Sequence, residues 1–382
     1  MRNVLILGST GSIGTQALEV ISASPELRAV GLAAGRGWET TVVQAREHGV
    51  EVIALADREA AARAGANWGD GRVLAGEEGV RDLIAATEPD LVLNGIVGAA
   101  GLASTVVALT AGIDVALANK ESLVLGGELV MALAEATGAQ LLPVDSEHSA
   151  LHQLIRREAP GTVDRLTVTA SGGPFRGRRD LDDVSIAEAL DHPTWKMGGR
   201  ITIDCATLMN KGFEVIEAHH FFGIPYERID VVVHPESLIH SLIALNDGST
   251  LAHLGYPDMR VPISYALHYP ERMPVDVPQL DLAAVGSLTF EEPDPETFAC
   301  LRLALEAGGT GGTAPTVLNA ADEVAVAAFL EGRIPFTGIA AVIERTLEEL
   351  PGRPVTHFED LFATDAEARE RAAAGVKELT PA

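Results

Sequence analysis

Cysteine is nearly absent. Cys205 and Cys300 are the only two in 382 residues, and neither sits in a CxxC pair. One pair cannot build a disulfide framework for a chain this long, so a reducing compartment is the expectation. Basic residues are scarce as well: 28 Lys plus Arg stand against 54 Asp plus Glu, a formal charge of −26. Such a surface repels polyanions, which argues against nucleic acid and anionic membranes as partners. A small pocket of Arg, Lys and backbone N–H groups can still override the global field and hold an anionic metabolite. Long apolar runs are missing too. The amino terminus, MRNVLILGSTGSIG, has one basic residue and an apolar stretch too short for a signal peptide, and no segment has the length of a membrane span. A cytoplasmic protein without membrane contact is expected. There is no internal repeat and no low-complexity tract.

What is present is ample apolar material, 47% of residues, enough for two or three domains. In the first third, NVLILG, AVGLAAG, EVIAL, DLVLNGIVG, IDVALAN and AQLLPVD read as strands, with helical patterns between most of them. That alternation predicts an α/β, doubly wound parallel sheet. From about residue 150 the pattern changes. RLTVTASGG, RITID, IDVVVHPESLIHSLIAL and STLAHLG read as strands, and NDG at 246–248 signals a hairpin, so an α+β domain with a mixed or antiparallel sheet follows. Residues 273–298 are rich in proline and acid and read as a connector with room for one strand. The remainder is helical and predicts a carboxy-terminal helical bundle. The expected domains are 1–146, 147–272, the connector 273–298 and 299–382.

Gly8, Gly11 and Gly14 follow the first strand and open a helix, where a phosphate would meet backbone N–H groups. The spacing is GxxGxxG, less specific than GxGxxG, so a ligand-free glycine turn remains open at this point. The second strand adds weight to a Rossmann-like dinucleotide site. A fold that prefers NAD ends this strand with an acid for the ribose hydroxyls, whereas here the strand runs into Gly35 and Arg36, which suits the 2′-phosphate of NADPH. ANKES, residues 118–122, also falls at a strand end and turns Lys120 toward the crevice.

Asp145 and Glu147 sit at the end of a hydrophobic strand, where an N-cap and a first-turn acid are the ordinary explanation. In DCATLMNKGFEVIEAHHFF, however, Thr207, Asn210, Lys211 and Glu214 recur at helical spacing and predict a polar stripe on one apolar helix spanning 204–222. Gly212 reads as room for something to approach. Asp145, Glu147 and Glu214 together make a hard oxygen set suited to Mg²⁺ or Mn²⁺ rather than Zn²⁺. His148 and His152 are four apart but lack the HExxH order. Ser171 with its following glycines, His192, Asn210 and Lys211 would form an anion pocket fit for a sugar phosphate, and Trp195, Lys196 and Met197 suit a mobile covering loop, with Trp195 equally able to anchor its own loop in the core. These residues alone support a metal-assisted NADPH reductase of a phosphorylated substrate. A metal-independent NADPH reductase of a phosphorylated aldehyde or semialdehyde is the alternative, and a non-catalytic NADPH sensor is a third reading.

GSTGSIG, NKES, PVDSEH, SGGPFR, HPTWKMG, ATLMNKGFEVIEAH, HPESLIHS, GYPDMR and LNAADEVAV occur in this order across nearly the whole chain. The set resembles the 1-deoxy-D-xylulose 5-phosphate reductoisomerase family. That resemblance implies NADPH- and divalent-metal-dependent rearrangement and reduction of 1-deoxy-D-xylulose 5-phosphate to 2-C-methyl-D-erythritol 4-phosphate, in non-mevalonate isoprenoid synthesis, by a homodimer. It implies Asp145, Glu147 and Glu214 as metal ligands, with Lys120 also at the catalytic centre. Ser146, Ser171, His192, Cys205, Asn210, Lys211 and His234 would contact substrate, under a flap carrying Trp195 and Met197. It further implies cofactor contacts from Thr10, Gly11, Ser12, Ile13, Gly35, Arg36, Asn119, Glu121, Gly198 and Met259, the last also near substrate. Two positions depart from the family pattern. Cys205 replaces a phosphate-holding serine and, beside a helix N-terminus, is expected to be a reactive thiol with weaker phosphate contact. Asp322 replaces an asparagine in a helix expected to be structural.

Overall fold

The computed structural model describes residues 1–69, 71–195 and 197–380. Two compact units emerge, each assembled from separate stretches of chain. The first comprises Met1–Ser122, Val130–Ser149 and Asp258–Val277; the second comprises Leu123–Leu129, Ala150–Pro257 and Pro278–Ala382.

In the first unit, strands β1 (Arg2–Leu7), β2 (Leu27–Ala34), β3 (Val52–Leu55), β4 (Arg72–Ala75), β5 (Leu91–Asn94), β6 (Asp114–Leu117) and β7 (Leu141–Pro143) form one parallel sheet in the order β4-β3-β2-β1-β5-β6-β7. Val4 to Leu7 and Leu91 to Leu93 are wholly buried, which is why these strands read as unbroken apolar runs rather than alternations. The order reverses at β1, between β2 and β5. Leu7 is in register with Ala33 of β2 and Asn94 of β5, so the three strands finish level and open a crevice at their carboxyl ends. β4 was not legible in the sequence, being four residues long and half exposed.

The stretch 258–277, divided between 147–272 and the connector in a linear reading, packs in this first unit. Its helix Arg260–His268 buries Ile263, Ala266 and Leu267 in the same core as Leu18, Ile21 and Leu27. Arg2 Nη1 donates to the Leu267 carbonyl at 3.2 Å.

In the second unit, strands β8 (Val163–Ala170), β9 (Ile229–Val233), β10 (Ile239–Leu245) and β11 (Thr250–Leu254) form a mixed sheet ordered β11-β10-β8-β9, parallel only between β8 and β9. The NDG turn closes the β10–β11 hairpin as expected, with Gly248 at φ 88°. Residues 200–204, expected as a strand, belong instead to the helix Gly199–Ala206. Burial of Thr202, Ile203 and Ala206 follows a helical spacing that outweighs the β-branched composition. The connector holds one short helix, Leu282–Val285, and a single bridge between Glu291 and Val233. Helices Ala299–Thr310, Ala314–Leu330, Phe336–Glu349 and Phe358–Leu379 complete the unit as the expected bundle. No helix among the described residues is long and apolar enough to cross a membrane.

Two imidazoles of this unit are stored neutral. Burial pushes His152 down from 6.5 to about 4, aided by Arg156, and burial with the neighbouring His219 does the same to His220. The unfolded chain therefore takes up protons before the folded one does. The resulting stability is fully present above pH 6.5 and is lost as pH falls toward 4, on the order of 2–3 kcal/mol per group. The urea midpoint should drop between pH 7.5 and 4.5, and the drop should shrink in a His152→Gln, His220→Gln variant. A midpoint equally pH-dependent in that variant would rule the assignment out.

Candidate active site

At Gly8 and Gly14 the glycine-rich turn is shaped by backbone contacts that leave no room for a Cβ. Gly8 takes φ 87°, and a Cβ there would lie 2.5 Å from the Gly95 carbonyl oxygen. Gly8 N and Ser9 N both donate to the Ala33 carbonyl, at 2.9 and 2.8 Å, tying the turn to β2. At Gly14 a Cβ would stand 2.3 Å from the Gly8 oxygen, so the first turn of helix Ser12–Ala23 lies directly on the loop. That helix begins at Gly11 without a side-chain cap and has no acidic residue in its first turn. Thr10, Ser12 and Ile13 share this turn, and its unfilled N–H groups and positive dipole end form an anion site.

Next to it, β2 ends at Ala34 and leads into Gly35 and Arg36, as expected. The Arg36 Nε donates to Asp57 Oδ2 at 3.1 Å. Asn119 and Glu121 serve the walls of the crevice. Asn119 Nδ2 donates to the carbonyls of Ile96 and Gly98, at 2.8 and 2.9 Å, and Glu121 Oε1 accepts from Gly98 N at 3.0 Å. Both side chains are buried in this network, which fixes the 94–101 loop beside the turn.

Past β7, helix Ser146–Ile155 starts at the acidic pair. Lys120 Nζ lies 3.1 Å from Asp145 Oδ2, and His148 Nδ1 lies 3.4 Å from Oδ1. Burial opposes ionisation of Asp145, but the Lys120 ammonium and His148 outweigh it and hold the carboxyl well below the usual carboxylate range. Ser146 Oγ donates to Glu147 Oε2 at 2.6 Å. Met259 packs on the same unit's core, just before helix Arg260–His268.

In the second unit, the helix expected over 204–222 is two. Helix Gly199–Ala206 ends, Leu208 takes a left-handed φ of 61°, and helix Met209–Phe222 begins. Asn210, Lys211 and Glu214 share the second helix, all buried, with Asn210 Nδ2 donating to Glu214 Oε1 at 2.5 Å and Lys211 Nζ to Oε2. Thr207 lies outside that stripe, its hydroxyl donating back to the Ile203 and Asp204 carbonyls. Gly212 leaves room for a neighbouring helix rather than a ligand, because a Cβ there would fall 2.2 Å from Ala304 Cβ.

Thr194 N and Trp195 N donate to His192 Nδ1 at 3.1 and 2.9 Å. The neutral ring thus carries its proton on Nε2, 3.0 Å from Ser171 Oγ, and burial, by pushing the imidazole down, favours that neutral form. Gly173 N also donates to Ser171 Oγ, at 3.2 Å. With two donors already on its oxygen, the hydroxyl has its own proton left to give to an anion. Trp195 and Met197 are half-buried and Gly198 is exposed at the start of helix Gly199–Ala206; Lys196 lies outside the described residues.

The description 1-deoxy-D-xylulose 5-phosphate reductoisomerase matches residues 4–127, and the carboxy-terminal domain descriptions of the same family match 141–222 and 254–371. A 1-deoxy-D-xylulose 5-phosphate reductoisomerase of Geobacillus kaustophilus is 51% identical over 376 residues, covering 97% of this chain and 98% of the relative. The chain belongs to the 1-deoxy-D-xylulose 5-phosphate reductoisomerase family. The reductoisomerase of Zymomonas mobilis, solved with NADPH, superimposes with a TM-score of 0.91 at 40% identity, over 99% of this chain and 100% of that one. A second reductoisomerase, solved with NADPH, fosmidomycin and magnesium, gives 0.92 at 39% identity, over 99% and 98%.

Against the reductoisomerase pattern, three positions have a particular setting here. His234 is fully buried, with Nδ1 on the Thr289 carbonyl at 2.9 Å and Nε2 accepting from Leu238 N at 3.1 Å, so both ring nitrogens serve the local fold. Cys205 is half-buried and lies at the carboxyl end of its helix, not beside an N-terminus. The negative dipole end disfavours a thiolate, which removes the reason to expect a reactive thiol. Asp322 is fully buried on helix Ala314–Leu330, 3.4 Å from Arg200 Nη2. Burial and the nearby Asp204 push its carboxyl well above the usual range. Two useful residues escaped the sequence reading: Gln44, whose Nε2 donates to the Ser9 carbonyl at 2.9 Å, and Asp57. Only the strand-end position of Asp57 could have signalled it.

Proposed function

We infer that this reductoisomerase converts 1-deoxy-D-xylulose 5-phosphate to 2-C-methyl-D-erythritol 4-phosphate with NADPH and a divalent cation, Mg²⁺ or Mn²⁺. The observation that carries the reading is that one parallel sheet bears a dinucleotide-type glycine turn after β1 and the Asp145–Glu147 pair after β7. A plain reductase needs the first and has no use for the second.

Asp145, Glu147 and Glu214 are proposed as the metal ligands. They offer only carboxylate oxygen, and Asp145 and Glu214 each already hold a lysine ammonium, so both are placed for positive charge. When bound, the cation polarises the substrate's carbonyl and neighbouring hydroxyl oxygens. Lys120 supplies a proton-bearing cation beside Asp145 to balance charge developing on oxygen. Ser146 orients the Glu147 carboxylate. Ser171, backed by His192, would donate to the phosphate together with Asn210 and Lys211, and Cys205 and His234 would flank rather than lead that contact. Phosphate binding away from the reacting carbons lets its energy orient the substrate and draw the Trp195–Met197 loop over it, excluding water. Gly8, Thr10, Gly11, Ser12, Ile13, Gly14, Gly35, Arg36, Asn119, Glu121, Gly198 and Met259 are proposed to hold NADPH. The domain roles proposed are cofactor binding for 1–146, joined by the returning stretch 258–277, substrate and dimer contacts for the rest of 147–272, a connector over the rest of 273–298 and support from 299–382. A homodimer in the cytoplasm belongs to the same proposal and rests on family likeness.

Purified protein given 1-deoxy-D-xylulose 5-phosphate should oxidise NADPH in the presence of Mg²⁺, stop on chelation and resume when metal is restored. Oxidation indifferent to the chelator would favour the metal-independent reductase.

A further inference from the structure

Arg36 is 89% exposed on its side chain, so packing does not orient it. Its orientation comes from β3. The ladder between β2 and β3 continues past the strands, with Ala56 N on the Ala34 carbonyl at 3.0 Å and Asp57 N on the Gly35 carbonyl at 3.1 Å. This fixes the Asp57 backbone beside the Gly35–Arg36 turn. Both Asp57 carboxylate oxygens are then engaged: Oδ1 caps helix Arg58–Asn67 by accepting from Ala60 N at 2.9 Å, and Oδ2 accepts from Arg36 Nε at 3.1 Å. Arg58 does not compete for that carboxylate, since Glu78 holds it at 3.0 Å. A guanidinium gripped through Nε keeps its two Nη groups for a second acceptor that offers two oxygens, as a phosphate does. A fold preferring NAD places an acid at the end of the second strand; here Arg36 stands there, and the acid after the third strand holds that arginine.

We propose that Asp57 is a positioning residue for cofactor choice, holding Arg36 by its Nε so that the Nη pair meets the 2′-phosphate of NADPH. The proposal rests on Arg36 receiving that phosphate. Asn caps a helix about as well as Asp, so Asp57→Asn leaves the Ala60 bond while presenting an amide donor or an uncharged oxygen to Arg36. Asp57→Ser gives a second variant that caps but does not reach.

The test measures KM for NADPH and NADH, and calorimetric affinity for 2′,5′-ADP and 5′-AMP, in Asp57→Asn, Asp57→Ser, Arg36→Ala and the Arg36→Ala, Asp57→Asn double variant. Removing one exposed charge pair should raise the NADPH KM about three- to fivefold and weaken 2′,5′-ADP to match, with the NADH KM and 5′-AMP unmoved. Arg36→Ala should raise the NADPH KM about tenfold or more, and the double variant should be no worse. If Arg36→Ala weakens NADPH and Asp57→Asn does not, the positioning role is overturned while the assignment of Arg36 stands. If Arg36→Ala changes nothing, the assignment beneath the proposal fails as well. Tighter NADPH binding by Asp57→Asn would show that the carboxylate repels the phosphate, the reverse of the proposal.

Discussion

Glu214→Gln should lower kcat by about a thousandfold or more, because it removes one of three charged oxygen ligands from the proposed cation site. The substitution preserves volume, so the loss would be of charge. Glu214 is buried and accepts from Asn210 and Lys211, and neutralising it removes the charge that the buried Lys211 ammonium is paired with there. The variant should therefore also lose about 3 kcal/mol of stability. The two effects separate by measurement. Binding of Mn²⁺ followed by its paramagnetic signal should weaken sharply in folded variant protein, and chelated wild type should fall to the same residual rate. If the variant keeps activity within tenfold and binds Mn²⁺ normally, Glu214 is only the partner of Lys211.

The second large effect is expected at Gly14. A Cβ there meets the Gly8 oxygen at 2.3 Å and Ser9 Cα at 2.5 Å, atoms of the backbone that cannot swing aside. Gly11 faces only the Gly8 oxygen, at 3.3 Å, which a slight adjustment relieves. Gly14→Ala should push the glycine-rich turn off helix Ser12–Ala23, weaken NADPH at least about a hundredfold and cost about 3 kcal/mol. Gly11→Ala should remain within a few fold of wild type. Fluorescence titration of NADPH beside urea unfolding reads both quantities, and equal behaviour of the two variants would remove the packing argument.

Much of this could be read in the sequence, for physical reasons that also mark where reading stopped. β1 to β3 and β5 to β7 were visible because burial on both faces makes a parallel strand a continuous apolar run. β4 has no such burial and went unseen. The acids after β7 and the glycine turn were legible because strand ends carry the chemistry of such sheets. The break at Leu208 was not, since a left-handed leucine has no local signature, and without it Thr207 looked like part of the Asn210–Glu214 stripe. The same missed break put Cys205 near a helix start when it lies at a helix end. Gly212 was misread because the Ala304 side chain that needs its space comes from a distant helix. Asp57 was passed over for the same kind of reason: its backbone partner Gly35 lies on the neighbouring strand, a pairing that local pattern does not reveal.

The return of 258–277 to the first unit sets an order on the ribosome. When Met1–Ser149 has been made, the seven strands are all present, but Ile263, Ala266 and Leu267, which finish their core, have not yet been translated. All of 150–257 must be synthesised first. The nascent chain thus carries an uncovered apolar face through that interval, and the unit made first becomes complete only after all four sheet strands of the unit made second have been synthesised.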